Sequence, residues 1–130
     1  MILNFISLSR DRLHKVATSL TLKDKLILLC LAASLCLNVI IWIYLGKRIT
    51  QVETPIPLHY NIHFGIDYVA LGYQVYVIPF LGFLILLFNF TLIYVLYLKE
   101  KILSYFLALN TVLVHIFLAI SSYLISGLNS

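Results

Sequence analysis

The chain has 130 residues, of which 62% are apolar and only 11% charged, and its mean hydropathy is +1.04. Soluble domains run nearer to about half apolar and about a quarter charged, so composition excludes an ordinary water-soluble fold. The 14% Phe, Trp and Tyr excludes a disordered chain, which is poor in such residues. The net charge of +4 is uneven: Arg10, Arg12, Lys15, Lys23 and Lys25 all precede the first apolar run. That asymmetry reads as membrane orientation and not as a nucleic-acid footprint.

Residues 1–25 are expected to form an amphipathic segment on the cytoplasmic surface. Phe5, Ile6, Leu13, Val16, Ala17 and Leu20 recur at roughly helical spacing, with Arg10, Asp11, Arg12 and Lys15 largely filling the gaps, which predicts a short interfacial helix. Its basic residues either set topology alone or also hold anionic lipid head groups. Thr21-Leu22-Lys23-Asp24 has the form of a capping box and predicts that the first span begins near Thr21.

Residues 26–126 read as a single membrane domain with spans at about 26–45, 75–98 and 102–126, free of Asp, Glu, Lys and Arg. The first, at 20 residues, would make a helix about 30 Å long, enough to cross the hydrocarbon core. Lipid offers the backbone no partners, so such runs must be helical, and they lack the alternation of barrel strands. The fold class is therefore all-α integral membrane: three transmembrane helices, the interfacial helix and an ordered external loop at 46–74. The first run is too long for a signal-peptide core and reads as an uncleaved anchor. Cys30 and Cys36 both lie within it, about 9 Å apart along a helix axis, too far for a disulfide. They read as small apolar fillers.

Seven Lys or Arg residues fall on the side of the N-terminus and the Lys99-Glu100-Lys101 turn, against Lys47 and Arg48 on the other. By the positive-inside rule the N-terminus is expected in the cytoplasm, and the long loop and C-terminus outside, in the cell's inner (cytoplasmic) membrane. Trp42, Tyr44, Tyr73, Tyr76, Tyr94, Tyr97, Tyr105 and Tyr123 stand near span ends, as amphipathic rings should at an interface.

The external loop is the most distinctive stretch. Pro55 and Pro57 fix extended backbone. From Ile56 to Ile66 every even position is apolar, while His59, Asn61, His63 and Gly65 are odd. Period-two alternation predicts an extended segment with one face buried. The pattern Pro57-x-His59-Tyr60-Asn61, then Gly65, then Asp67 resembles the loop signature of a bacterial membrane domain of unknown function found at the N-terminus of SdpI-type immunity and signalling proteins. The likeness covers roughly residues 26–100. The family's usual spacing is Asn-x-x-Gly-x-x-Asp; here the glycine comes one residue later. The resemblance implies an immunity or signalling setting.

Three readings of the loop stay open. His59, His63 and Asp67, at i, i+4 and i+8, would share a helix face and could ligate a metal, although Pro57 and Gly65 oppose an unbroken helix. A structured turn would have Asn61 and Asp67 bonding backbone, Gly65 supplying positive φ, and Tyr60, Phe64 and Tyr68 dipping into the interface. The third reading is recognition of an external ligand or partner by His59, Tyr60, Asn61, His63, Gly65 and Asp67.

Polar residues within the spans form a second candidate cluster: Asn38, Asn89, Asn110, Thr111 and His115. Counting from the span ends, Asn89 shares its depth with Asn110 and Thr111, and Asn38 nearly shares that of His115. They are expected to hydrogen-bond between helices, or to form a proton or ligand path through His115. Pro79 and Gly82 predict a kink.

No nucleophile–base pair, phosphate loop or HExxH motif stands in the sequence. The expectation is a small non-catalytic membrane protein with no cofactor, whose external loop recognises a ligand or partner. The alternatives are a metal-binding membrane protein or enzyme, and an oligomeric transporter or channel. The partners expected are the lipid bilayer and either another protein or further copies of the chain; nucleic acid is not expected.

Overall fold

The structure, a computed structural model, describes residues 21–50 and 52–129. Helix α1 spans Lys25–Arg48, strand β1 Pro55–Asn61 and strand β2 Gly65–Leu71. A 3-10 turn at Gly72–Tyr76 leads into α2, Val77–Leu96, and α3 spans Lys101–Leu128. The amphipathic helix expected over the first 20 residues lies outside the described residues. Among the described residues three helices, counting the 3-10 turn with α2, are long and apolar enough to cross a membrane.

The helices are built inside out relative to a soluble bundle. The buried stripe of α3 is Ser104, Ala108, Thr111, His115, Ser122 and Ser126, while Phe106, Leu113, Phe117 and Leu124 stay exposed. Lipid tails are as apolar as leucine, so nothing drives large apolar side chains inward, and small residues let helices approach. The inner stripe of α1, Ile27, Cys30, Ser34, Asn38, Ile41 and Leu45, and that of α2, Pro79, Gly82, Leu86, Asn89 and Ile93, meet it at i+3 and i+4 spacing. Two apolar clusters result. Ile27, Cys30, Ile93, Tyr97 and Ala108 pack at one end. Ile41, Leu45, Ile49, Ile56 and Val75 pack at the other. Cys36 is exposed, and neither cysteine is in a disulfide.

One local expectation changes. The cap of α1 is Asp24, whose Oδ1 accepts from the backbone N–H groups of Leu26 and Ile27 at 3.1 and 3.4 Å; Thr21 instead gives its carbonyl to the Asp24 N–H. Pro79 falls in the first turn of α2, two residues after the switch from 3-10 to α geometry at Tyr76–Val77.

Between α1 and α2 the chain is not all-α. β1 and β2 form an antiparallel hairpin with Pro55 opposite Leu71 and Asn61 opposite Gly65. Where the alternation predicts one extended run, the chain reverses at Ile62-His63-Phe64. The cause is local. Asn61 Oδ1 accepts from the His63 N–H at 2.8 Å, a side-chain mimic of a turn, and Gly65 takes φ of 75°, which costs little without a Cβ. Ile56 is buried against the helix ends, but Ile62 and Phe64 are each 84% exposed.

Candidate functional site

The hairpin is fixed to the helix ends at its base. Gly72 and Tyr73 donate backbone bonds to Thr54 and Val52 at 3.1 and 2.9 Å. Asn129, which caps the C-terminus of α3, donates through Nδ2 to both Ile125 and Pro57 carbonyls at 2.8 and 2.9 Å. Trp42 stacks on Tyr76 at 5.6 Å between centroids, and Tyr44 on Tyr123 at 6.4 Å.

The candidate loop residues divide into a pair, a turn and a tip. His59 Nδ1 meets Asp67 Oδ1 at 2.6 Å across the two strands. Asp67 thus bonds a side chain where the turn reading gave it backbone. Asn61 and Gly65 build the reversal, and His63 lies within it. His59, His63 and Asp67 do not share a helix face, because the segment is two strands. Among the described residues no group of three or more His, Cys, Asp or Glu gathers as a metal site needs.

Register irregularities flank His59 on both sides. Strict alternation would send His59 to the face opposite Leu58 and Tyr60, yet all three line one cleft. Extra residues at a bulge re-aim side chains in this way. The cleft, about 450 Å³, has Leu58, His59 and Tyr60 on one wall and Ser121, Leu124, Ile125 and Leu128 of α3 on the other.

The intramembrane candidates lie between the two apolar clusters. Asn89 Nδ2 donates to Thr111 Oγ1 at 2.9 Å, and the Thr111 hydroxyl donates to the Leu107 carbonyl at 2.7 Å. Asn38 Nδ2 donates to the Pro79 carbonyl at 2.9 Å. His115 Nδ1 lies 2.8 Å from the Thr111 carbonyl; a carbonyl only accepts, so Nδ1 carries the hydrogen. His115 Nε2 is buried without a partner among the described residues. A Cβ built on Gly82 would lie 2.8 Å from Asn38 Nδ2 and 3.5 Å from His115 Nε2, so these groups converge on the glycine. Asn110 does not join them; it is exposed on α3, one helical step of 100° away from Thr111.

At the opposite end is a junction that the sequence reading did not single out. Asp24 Oδ2 accepts from the hydroxyls of Tyr97 and Tyr105, both at 2.7 Å. Lys101 Nζ lies 3.8 Å from the same oxygen and 5.5 Å from the centroid of each tyrosine ring. Burial pushes the Asp24 carboxyl up, but the two hydroxyls and the N–H groups of Ile27 and Leu26 outweigh it and hold the pKa below the ordinary 3.8. Burial and the Asp24 carboxylate push the Tyr97 hydroxyl up. The available signal was an acid at the edge of one apolar run, with tyrosines beside the short turn joining the other two.

Among the described residues, three helices of spanning length give the chain the make-up of a multi-pass membrane protein. No protein family, curated protein or solved structure matches it.

Proposed function

We propose that the chain is a small non-catalytic membrane protein whose hairpin recognises a partner or ligand on the external side. The observation that carries this reading is the hairpin tip. Ile62 and Phe64 are each 84% exposed at the end of an element whose base is bonded to the helix ends. Large apolar side chains held out on a braced turn have little intramolecular use, and such residues make efficient anchors in a partner's pocket. Tyr60, Ile66 and Tyr68, each more than half exposed, extend the apolar surface along the strands. The seven-to-two division of Lys and Arg supports an external hairpin and a cytoplasmic N-terminus, with the basic segment at 1–25 on the inner surface. The likeness of Pro57–Asp67 to the SdpI-type signature supports an immunity or signalling setting.

A photoreactive phenylalanine in place of Phe64, activated in intact membranes, tests the reading. A discrete protein or ligand adduct that disappears with Ile62→Asp is the expected result. Adducts to lipid alone would show that the tip is a membrane anchor, and protein adducts indifferent to Ile62→Asp would show chance proximity; either overturns the reading.

A further inference from the structure

The cleft between β1 and α3 has the build of a lipid site, an inference that rests on reading the hairpin end as a recognition element. Its volume of about 450 Å³ falls within the roughly 300–1,000 Å³ of small-molecule sites. Ser121, Leu124, Ile125 and Leu128 stand at i, i+3, i+4 and i+7, a single stripe of α3 about 10 Å long. Leu124 and Leu128 remain 60% and 38% exposed. The stripe continues along the helix into Phe117 and Ile120, 68% and 49% exposed, on the face that a membrane-spanning helix presents to hydrocarbon. The cleft is therefore continuous with the lipid-facing surface of α3 and is roofed at the hairpin end by β1. Ser121 widens it, since a small side chain stands where the rest of the stripe is leucine or isoleucine. Water finds few partners along such a wall, and hydrocarbon needs none.

The polar edge is His59. Asp67 occupies its Nδ1, which orients the ring and leaves Nε2 without a partner among the described residues. We propose that the cleft holds one acyl chain of a phospholipid from the leaflet on the hairpin side. The chain lies along Leu128, Leu124 and Ser121, with its glycerol and head group at the His59 end of the cleft. The lipid then fills the space beneath β1 and sets how the hairpin sits on α3, so the surface offered to a partner depends on the lipid.

The test uses the full chain in nanodiscs of phosphatidylcholine and phosphatidylglycerol, doped with a phosphatidylcholine carrying a diazirine on its acyl chain. After illumination, adducts are mapped by mass spectrometry. Adducts within 58–60 and 121–128 should exceed those on Leu29 and Ile40, exposed residues of α1, by several-fold. Ser121→Trp, which fills the groove, should bring them down to the α1 level, and Ser121→Leu should lower them partway. Amide-exchange protection of the hairpin shows that the variants fold. Even labelling along α1 and α3 would mean ordinary annular lipid and overturn the proposal, as would adducts unchanged by Ser121→Trp in a folded protein. The Phe64 cross-link separates the two ideas: an Ile62-dependent partner adduct beside a cleft without lipid sinks this proposal and leaves the recognition reading standing.

Discussion

The hydroxyl of Tyr97 donates to Asp24 Oδ2 at 2.7 Å across 73 positions of sequence, and this one carboxylate joins all three helices. Its Oδ1 caps α1. Its Oδ2 takes the tyrosine following α2 and, on α3, Tyr105.

Asp24→Ala should therefore remove a cap and two hydrogen bonds to a charged acceptor together. The expected destabilisation is roughly 2–4 kcal/mol, read as a shift in the midpoint of thermal or denaturant unfolding in detergent. Tyr97→Phe should cost about 1 kcal/mol. The pH dependence follows in sign. The folded carboxyl has a pKa below its ordinary 3.8, so its contribution is present above that value and is lost as pH falls through the folded pKa. Stability should hold from neutrality down to the ordinary carboxyl range and decline below it. Asp24→Asn should flatten that decline; an unchanged acid limb would show that other groups cause it.

Asn89 and Thr111 should respond unequally. Without Asn89, the Thr111 hydroxyl still donates to Leu107, so Asn89→Leu should cost less than about 1 kcal/mol. Thr111→Val strands the buried Asn89 amide and should cost about 1–3 kcal/mol. The double variant should recover part of the Thr111→Val loss. A double-mutant cycle with no coupling term would contradict the bond at 2.9 Å.

Gly82→Ala sets two effects against each other. Alanine gains up to about 1 kcal/mol of helix propensity. The new Cβ, however, would lie 2.8 Å from both Asn38 Nδ2 and Leu118 Cδ1, and Asn38 cannot retreat without loosening its bond to Pro79. Overpacking of about 1–3 kcal/mol should win. Asn38→Ala should relieve much of it. A Gly82→Ala protein as stable as the parent would mean that the helices separate at no cost.

Threading can be checked by labelling. With Cys30 and Cys36 replaced, Glu53→Cys should react with an impermeant thiol reagent in intact cells, and Lys99→Cys should react only after permeabilisation. The opposite pattern would reverse the assignment made from the Lys and Arg counts.

The sequence by itself determined the three helices of spanning length, because lipid cannot satisfy backbone polar groups and a long uncharged apolar run has few other outcomes. It also placed Asn38 near His115 and Asn89 near Thr111 in depth, since depth along a helix is residue count multiplied by rise. Rotation about the helix axis was beyond its reach. Adjacent residues differ by 100°, so only packing decided that Thr111 faces Asn89 while Asn110 faces outward. The alternation from Ile56 to Ile66 marked extended backbone. It did not reveal the reversal at 62–64 or the irregularities that turn His59 into the cleft, because one side chain bonding its own turn and two slips of register interrupt the period. The Asp24 junction was least legible. Tyr97 and Tyr105 carry the same signal as any interfacial tyrosine, and a carboxylate that binds both exists only once the start of α1 comes against the turn joining α2 and α3, 73 and 81 positions away.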